Sequence, residues 1–218
     1  MRVYHFLDKK FGLLALQQRR LKVSLPNNLN DPFDHRGIKT DNKQTRLAIK
    51  HALAEMSKVQ GLLCFSKSYR SPVMWAHYAD RHRGVCLGFD VSENDLTQVN
   101  YVKELLAGQF VADMNVNQDE VILAEELVKT KHSGWSYEKE YRAFVGLEST
   151  LAFAGMNFVE FSDQMKLRQI MVGYASEISR SDIQRVIGSS ATGLDCFQVR
   201  PAFHKFRMVR NRDADLWQ

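Results

Sequence analysis

Two glutamates and an arginine occupy alternate positions in the stretch WSYEKEYR, residues 135–142. Side chains two residues apart in a β-strand share one face, so Glu138, Glu140 and Arg142 would form a single row there. A pair of carboxylates can stabilise positive charge that develops on a sugar, and one of them can move a proton. Arg142 could hold the carboxylates by a two-pronged contact or bind a phosphate. The alternative is a solvated strand face, where such pairing is worth about 0–1 kcal/mol.

Aromatic residues flank this row on both sides, and they favour an enclosed face over a solvated one. They are Trp135, Tyr137 and Phe144. We therefore treat Glu140 and Glu138 as candidate catalytic residues.

Four other polar side chains lie at the ends or faces of apolar elements. His5 lies within RVYHFL, Ser66 ends GLLCFS, and Tyr78 follows Met74 at helical spacing in MWAHY. Asp31 precedes a proline in NDPFD, which is typical of a helix cap, and a cap that faces a cleft can also bind a ligand. Each has a structural explanation when taken alone. Only their combination indicates a site.

The hydrophobic pattern predicts an α+β fold in a single domain, residues 1–218, with a mixed and mostly antiparallel sheet and helices packed on its faces. Strands are predicted at 2–7, 21–25, 61–66, 85–91, 97–102, 139–147, 157–161, 168–173, 196–200 and 205–210. Helices are predicted at 8–20, 42–59, 71–83, 118–132 and 176–188, and a further helix start at NDPFD. The elements do not alternate in a regular βαβα rhythm, which argues against a parallel sheet.

The composition predicts a cytoplasmic protein without a membrane segment. Of 218 residues, 44% are apolar and 25% are charged, and no apolar run reaches the roughly 18 residues of a membrane helix. The three cysteines show no CxxC spacing, so reduced thiols are expected. His77 and His82 are five residues apart and do not share a helix face, so no metal site is predicted.

A basic strip near the C-terminus accounts for much of the net charge of +5. It reads RPAFHKFRMVRNR, residues 200–212. Cations mixed with aromatics can hold nucleic acid. The same residues can equally be the polar face of a last strand, in which Phe206 and Met208 alternate with Arg207. A basic surface would also suit a polyphosphate ligand.

Several of these motifs together resemble a bacterial family catalogued as domain of unknown function 2971. The motifs are YHF, LNDPFD, CFS, MWAHYADRHRGVCLGFD and W-x-YEKEYR, and the resemblance spans roughly residues 1–175. Their order is also similar to that of the ADP-ribosyltransferase superfamily, in which an early His or Arg, a middle Ser or Tyr and a late Glu act on NAD. That resemblance implies His5 in the first role, Ser66 in the second with Tyr78 as its rival, and Glu140 in the third with Glu138 beside it.

The resemblance implies an enzyme that binds NAD between the early strand and the Glu138–Glu140 segment, with His5, Ser66 and Tyr78 as binding residues. Arg142, which could meet a phosphate, and Asp31, as a cap facing a cleft, are further candidate binding residues. The enzyme would transfer ADP-ribose to a protein or nucleic-acid acceptor, or hydrolyse NAD, and bacterial enzymes of this kind are often toxins or phage-defence effectors. The alternatives are a nucleic-acid-binding or nucleic-acid-processing protein and a partner-binding module without chemistry. The oligomeric state stays open. The enzyme hypothesis requires His5, Ser66 and Glu140 to converge on one pocket.

Overall fold

The most apolar stretches of the sequence become the central strands of one sheet. The computed structural model describes residues 1–34, 37–107, 126–188, 193–213 and 217. Within them, VCLGFDV forms a strand in which six of seven residues are buried. The strands are β1 (Arg2–Leu7), β2 (Arg20–Lys22), β3 (Ile38–Lys39), β4 (Gln60–Ser66), β5 (Val85–Val91), β6 (Thr97–Gln98), β7 (Asn100–Val102), β8 (Leu106–Ala107), β9 (Thr130–His132), β10 (Glu140–Gly146), β11 (Leu151–Phe153), β12 (Met156–Glu160), β13 (Met165–Val172), β14 (Asp195–Pro201) and β15 (Met208–Arg210).

Helices begin where the sequence supplies a capping side chain. The Asp8 carboxylate accepts from the Phe11 N–H, and the Ser71 hydroxyl accepts from the Met74 N–H, as the capping patterns predict. The α-helices with defined bounds are α1 (Lys9–Gln18), α2 (Lys43–Val59), α3 (Pro72–Tyr78) and α4 (Arg180–Ile187). Short 3₁₀ helices span Pro26–Asn28, Glu93–Asp95, Ser133–Glu138 and Leu147–Ser149.

Eight strands form the main sheet, in the order β15-β14-β13-β5-β1-β4-β10-β6. Only β13 and β14 run parallel in it, and every other neighbouring pair is antiparallel. The predicted α+β class with a mixed, mostly antiparallel sheet is therefore confirmed. Three smaller sheets, β11-β12-β2, β3-β8 and β7-β9, lie beside it in the described parts of the chain.

Helices cover both faces of the main sheet and enclose separate apolar clusters. On one face, Leu16 of α1 and Ile183 of α4 pack against β5 and β13. On the other, the fully buried Trp75 of α3 meets Phe6 of β1 with ring centroids 5.3 Å apart. A third cluster lies under α2, around Leu53. No helix in the described ranges is long and apolar enough to cross a bilayer.

Some predicted elements end early or take another form. The helix predicted at 71–83 ends at Tyr78, because Asp80, Arg81 and His82 adopt left-handed φ angles of 45°, 52° and 69°. Residues 205–207 of the last predicted strand lie in a loop, and only Met208–Arg210 are extended. Of the helix predicted at 118–132, residues 118–125 lie outside the described residues and 126–129 are helical. Residues 130–132 form β9 instead.

NDPFD does not begin a helix. Residues 31–34 form a turn, in which the Asp31 carboxylate accepts from the Phe33 N–H at 2.9 Å and the Asp31 carbonyl accepts from the Asp34 N–H. An aspartate that caps a helix would make the same kind of bond, but residues 32–34 form a turn and not the first turn of a helix. Asp and Asn side chains make the same bond in turns as in caps.

Strands β1 and β4 diverge from a single point of contact. They share one paired position, Tyr4 with Ser66, whereas β1 pairs with β5 along six positions. Beyond that point the His5 ring bonds the Cys64 carbonyl at 2.8 Å, where a main-chain ladder would otherwise continue. The candidate site lies at this divergence, in a cavity lined by residues of β1, β4 and β10.

Candidate active site

A cavity of about 270 Å³ lies where β1 and β4 diverge. Six of the seven site residues predicted from the sequence line it: His5, Ser66, Tyr78, Glu138, Glu140 and Arg142. The required convergence of His5, Ser66 and Glu140 on one pocket is therefore present. Tyr4, Asn30 and Lys131 also line the cavity.

The two glutamates reach the cavity from different local structures. Glu140 begins β10 directly opposite Ser66 of β4, and Arg142 lies opposite Cys64. Glu138 ends the 3₁₀ helix, and Lys139 between the two glutamates has a left-handed φ of 48°. The single strand face predicted for all three charged residues is therefore wrong for Glu138.

Lys131 joins the two carboxylates. Its ammonium lies 2.7 Å from the Glu138 carboxylate and 3.3 Å from that of Glu140, and all three side chains are buried. It also lies 4.9 Å from the centre of the Trp135 ring. Lys131 is not among the predicted site residues, because the helix predicted at 118–132 places it at a polar helix end, whereas it lies in β9. The local pattern KTKH carries no signal that would have separated it from a solvated lysine.

Arg142 positions Glu140 instead of facing a ligand. Its Nε and Nη2 donate to the two oxygens of Glu140 at 2.8 and 3.1 Å. Nη1 donates to the Val128 carbonyl at 2.5 Å, and Nη2 also donates to Asp34 at 3.0 Å. The Arg142 side chain is only 1% exposed. Each of its three guanidinium nitrogens already has a hydrogen-bond partner. Of the two roles that the sequence allowed for Arg142, the structure shows the two-pronged hold on the carboxylate.

The surroundings push the pKa values of the two glutamates in opposite directions. Burial raises the pKa of Glu138, and the nearby Lys131 ammonium offsets this only in part. Burial would also raise the pKa of Glu140, but the Arg142 guanidinium and Lys131 together outweigh it and leave that pKa lowered. Two carboxylates with separated pKa values can divide acid–base and electrostatic roles between them.

Tyr78 connects Glu138 to the mouth of the cavity. Its hydroxyl donates to the Glu138 carboxylate and accepts from the Asn30 amide at 2.8 Å. Burial and the neighbouring Glu138 raise the pKa of Tyr78 well above its ordinary value. The hydroxyl therefore stays protonated and acts as a donor to the carboxylate.

His5 presents one ring nitrogen for ligand contact. Its Nδ1 must carry the proton, because the Cys64 carbonyl can only accept. Burial lowers the pKa of His5, so the ring is neutral and Nε2 has a free lone pair. Ser66 is less available, because its hydroxyl donates to the Glu138 carbonyl at 2.6 Å. That bond fixes the segment carrying both glutamates against β4.

Asp31 lies elsewhere. It lines a second cavity of about 450 Å³ together with Phe33, His132 and Trp135, and this cavity shares Lys131 with the first. Asp31 is therefore not gathered with the other predicted site residues. Its neighbour Asp34 reaches Arg142 and is fully buried, and burial raises the pKa of Asp34 despite the guanidinium.

Comparison with known proteins supports the family resemblance. The model of the family described as protein of unknown function (DUF2971) matches residues 74–143. Over this segment the chain is similar to that family. No curated protein and no solved structure matches the chain.

The matched DUF2971 segment contains Tyr78, Lys131, Glu138, Glu140 and Arg142, the charged half of the cavity. It does not reach the strands that carry His5 and Ser66, or the LNDPFD and YHF motifs. The resemblance expected over roughly 1–175 is thus confirmed over a shorter stretch. The likeness to ADP-ribosyltransferases stays a prediction.

Proposed function

We propose that this protein is an enzyme that cleaves the bond between nicotinamide and ribose in NAD, within the cavity between β1 and β10. It passes the ADP-ribose to a protein or nucleic-acid acceptor, or to water. The observation that carries the proposal is the convergence of His5, Tyr78, Glu138 and Glu140 on one cavity. On a solvated strand face both carboxylates would be exposed, whereas Glu138 and Glu140 are both buried.

The charge balance of the site suits a reaction that builds positive charge. Three carboxylates (Asp34, Glu138 and Glu140) meet two cations, Lys131 and Arg142. One negative charge is left over when all five are ionised. A buried and fixed negative charge stabilises a cationic transition state more strongly than a hydrated one, because no solvent needs to reorganise.

The two carboxylates take different steps. The bond from the ribose C1′ to the nicotinamide nitrogen breaks, and its electron pair leaves with nicotinamide. Glu140, held ionised by Arg142, faces the ribose as it becomes cationic. A bond then forms from C1′ to an oxygen or nitrogen of the acceptor, whose proton passes to Glu138. The raised pKa of Glu138 makes it the stronger base.

The remaining residues orient the cofactor. His5 Nε2 accepts a hydrogen bond from a ribose hydroxyl, and Asn30 and Tyr78 close the opposite side. The cavity volume of about 270 Å³ is at the lower end of the ~300–1,000 Å³ typical of ligand pockets. It suits the reacting half of the dinucleotide, with the rest extending outward. A cytoplasmic toxin or defence effector is the proposed setting.

The test is release of nicotinamide from NAD, with and without bacterial lysate as a source of acceptors. We expect Glu140→Gln and Glu138→Gln to lower the rate about 100- to 10,000-fold, the usual range for acid–base help. Glu148→Gln is the matched control, because Glu148 follows the same strand but is exposed. Glu138→Gln leaves the Arg142–Glu140 contact intact but removes the ion pair with Lys131, so its urea-unfolding midpoint is measured beside the rate to separate lost chemistry from lost folding. Absence of nicotinamide release by the wild type in lysate would contradict the proposal.

A further inference from the structure

The net positive charge of the chain resides in residues 200–212, which we call the basic strip. It contains five of the Lys and Arg residues and no acidic residue. The rest of the chain is balanced, with 25 basic and 25 acidic side chains. A surface that carries a protein's whole charge excess attracts polyanions and steers their approach.

The tip of the basic strip exposes two aromatic rings. Strands β14 and β15 form a hairpin, and its loop carries Phe203 at 81% exposure and Phe206 at 103%. The Arg200 guanidinium lies 4.2 Å from the centre of the Phe203 ring. Two large rings left in water on one basic loop are typical of a surface that a partner covers.

A chain of aromatic and arginine side chains connects the hairpin to the cavity, in which Arg70 and Arg210 are exposed, Tyr4 and Tyr69 are half-buried and Phe197 is buried. The Arg210 guanidinium stacks 3.9 Å above Phe197 and also pairs with Asp195. The Tyr69 ring lies 5.9 Å from Phe197 and 5.4 Å from Tyr4, which lines the cavity. The hairpin is tied to this row because the Met208 N–H donates to the Arg70 carbonyl at 2.8 Å. Arg70 in turn lies 5.6 Å from the Tyr69 ring.

We propose that the basic strip binds single-stranded nucleic acid. Phe203 and Phe206 stack on unpaired bases, while Lys205 and Arg207 meet the phosphates. Stacking on aromatic side chains beside a cationic track is the usual mode of single-strand binding. An anionic lipid surface would use the hairpin tip, but it would not need the row of rings and arginines that leads inward. The exposed arginines and the half-buried tyrosines of that row give a strand an extended path over the surface.

A strand bound along this path would be presented to the cavity as an acceptor. Only this second part rests on the proposed function, because binding by the strip requires no NAD. Binding assays without NAD therefore separate the two ideas. Nicotinamide release can fail while single-strand binding holds, and the reverse is equally measurable.

The experiment measures fluorescence anisotropy of a labelled single-stranded oligonucleotide of about 20 nucleotides, longer than a site of roughly 4–16 nucleotides. We expect Phe203→Ala with Phe206→Ala to weaken binding by at least about 5-fold for each stacked base. Phe153→Ala is the matched control, because Phe153 is 62% exposed and has Arg20 5.5 Å away, on another strand. It should leave binding unchanged.

Salt dependence tests the phosphate contacts separately. Changing Lys205 and Arg207 to Gln should lower the slope of log affinity against log salt by about 1.4, at ~0.7 per phosphate on a single strand. Lys50→Gln, at an exposed position on α2, should leave the slope unchanged. Equal binding of the Phe double variant and the wild type would overturn the proposal. So would equal affinity for a duplex, or binding to phosphatidylserine vesicles without binding to the oligonucleotide.

Discussion

Removing the ammonium of Lys131 should destabilise the fold far more than removing an equally close surface partner. Lys131 lies 2.7 Å from Glu138 in the interior, and Lys58 lies 2.6 Å from Glu55 on the surface. The two ion pairs match in length and differ in exposure. The side chains of Lys131 and Glu138 are 3% and 4% exposed, whereas those of Lys58 and Glu55 are 66% and 49% exposed. A difference between Lys131→Met and Lys58→Met therefore reports burial together with the second contact of Lys131, to Glu140.

The expected magnitudes follow from solvation. Breaking a buried pair leaves an uncompensated charge in the interior and costs about 3–5 kcal/mol. Here two carboxylates, Glu138 and Glu140, lose their shared cation. The exposed pair of Lys58 is screened by water and contributes about 0–1 kcal/mol. A loss of about 3–5 kcal/mol is a large part of the 5–15 kcal/mol of a typical domain.

The loss should also depend on pH. In the wild type the pKa of Glu140 is lowered, so its stabilisation is present above its unfolded pKa and is lost as pH falls. Lys131→Met removes a cation that lowers the pKa of Glu138, so this pKa, already raised by burial, rises further, and the folded variant binds a proton at Glu138 more readily than the unfolded chain does. The variant regains stability as pH falls, and its deficit should shrink between about pH 8 and about pH 5.

The assay is urea unfolding followed by tryptophan fluorescence at both pH values. Where the variants share one slope of unfolding free energy against urea concentration, the shift in transition midpoint gives the difference in unfolding free energy. The reasoning is refuted if Lys131→Met costs no more than Lys58→Met. It is also refuted if the deficit grows toward low pH.

Two further predictions concern Glu138 and its partner. The rate of nicotinamide release should rise with pH through the raised pKa of Glu138, because only the ionised carboxylate can take a proton. In Glu138→Gln this rise in the pH–rate profile should vanish. An unchanged rise would assign it to another group. Tyr78→Phe removes the donor to Glu138 and should cost about 1.5–3 kcal/mol in unfolding free energy, the range for a hydrogen bond to a charged group. Tyr4→Phe is its control, since Tyr4 lines the same cavity, and equal costs would count against the bond.

Local patterns predicted the elements well where each element depends on its own residues. Strands β1, β4 and β5 and helices α1 and α2 lie within two residues of their predicted bounds. Their apolar periodicity and caps are local properties, and burial in the fold agrees with them. Helix α3 ended early because three left-handed residues precede Gly84, and the sequence ADRHRG does not mark the first of them.

The buried ion network could not be predicted in the same way. The helix start predicted at NDPFD gives no sign that Asp34 pairs with Arg142, 108 residues later in the chain. Lys131 was assigned to a helix end, yet it lies between two carboxylates. Both contacts depend on the packing of distant elements, which no local periodicity encodes. The grouping of His5, Ser66 and Glu140 came from the family resemblance, and not from spacing.

The most direct measurement is a crystal structure of the Glu138→Gln variant soaked with NAD, since slowed cleavage should preserve the cofactor. The proposed function predicts density for the nicotinamide ribose between His5, Ser66 and Glu140. The ribose C1′ should lie within about 3–3.5 Å of a Glu140 oxygen, the range for groups poised to react. NAD bound elsewhere, with this cavity filled only by water, would contradict the account.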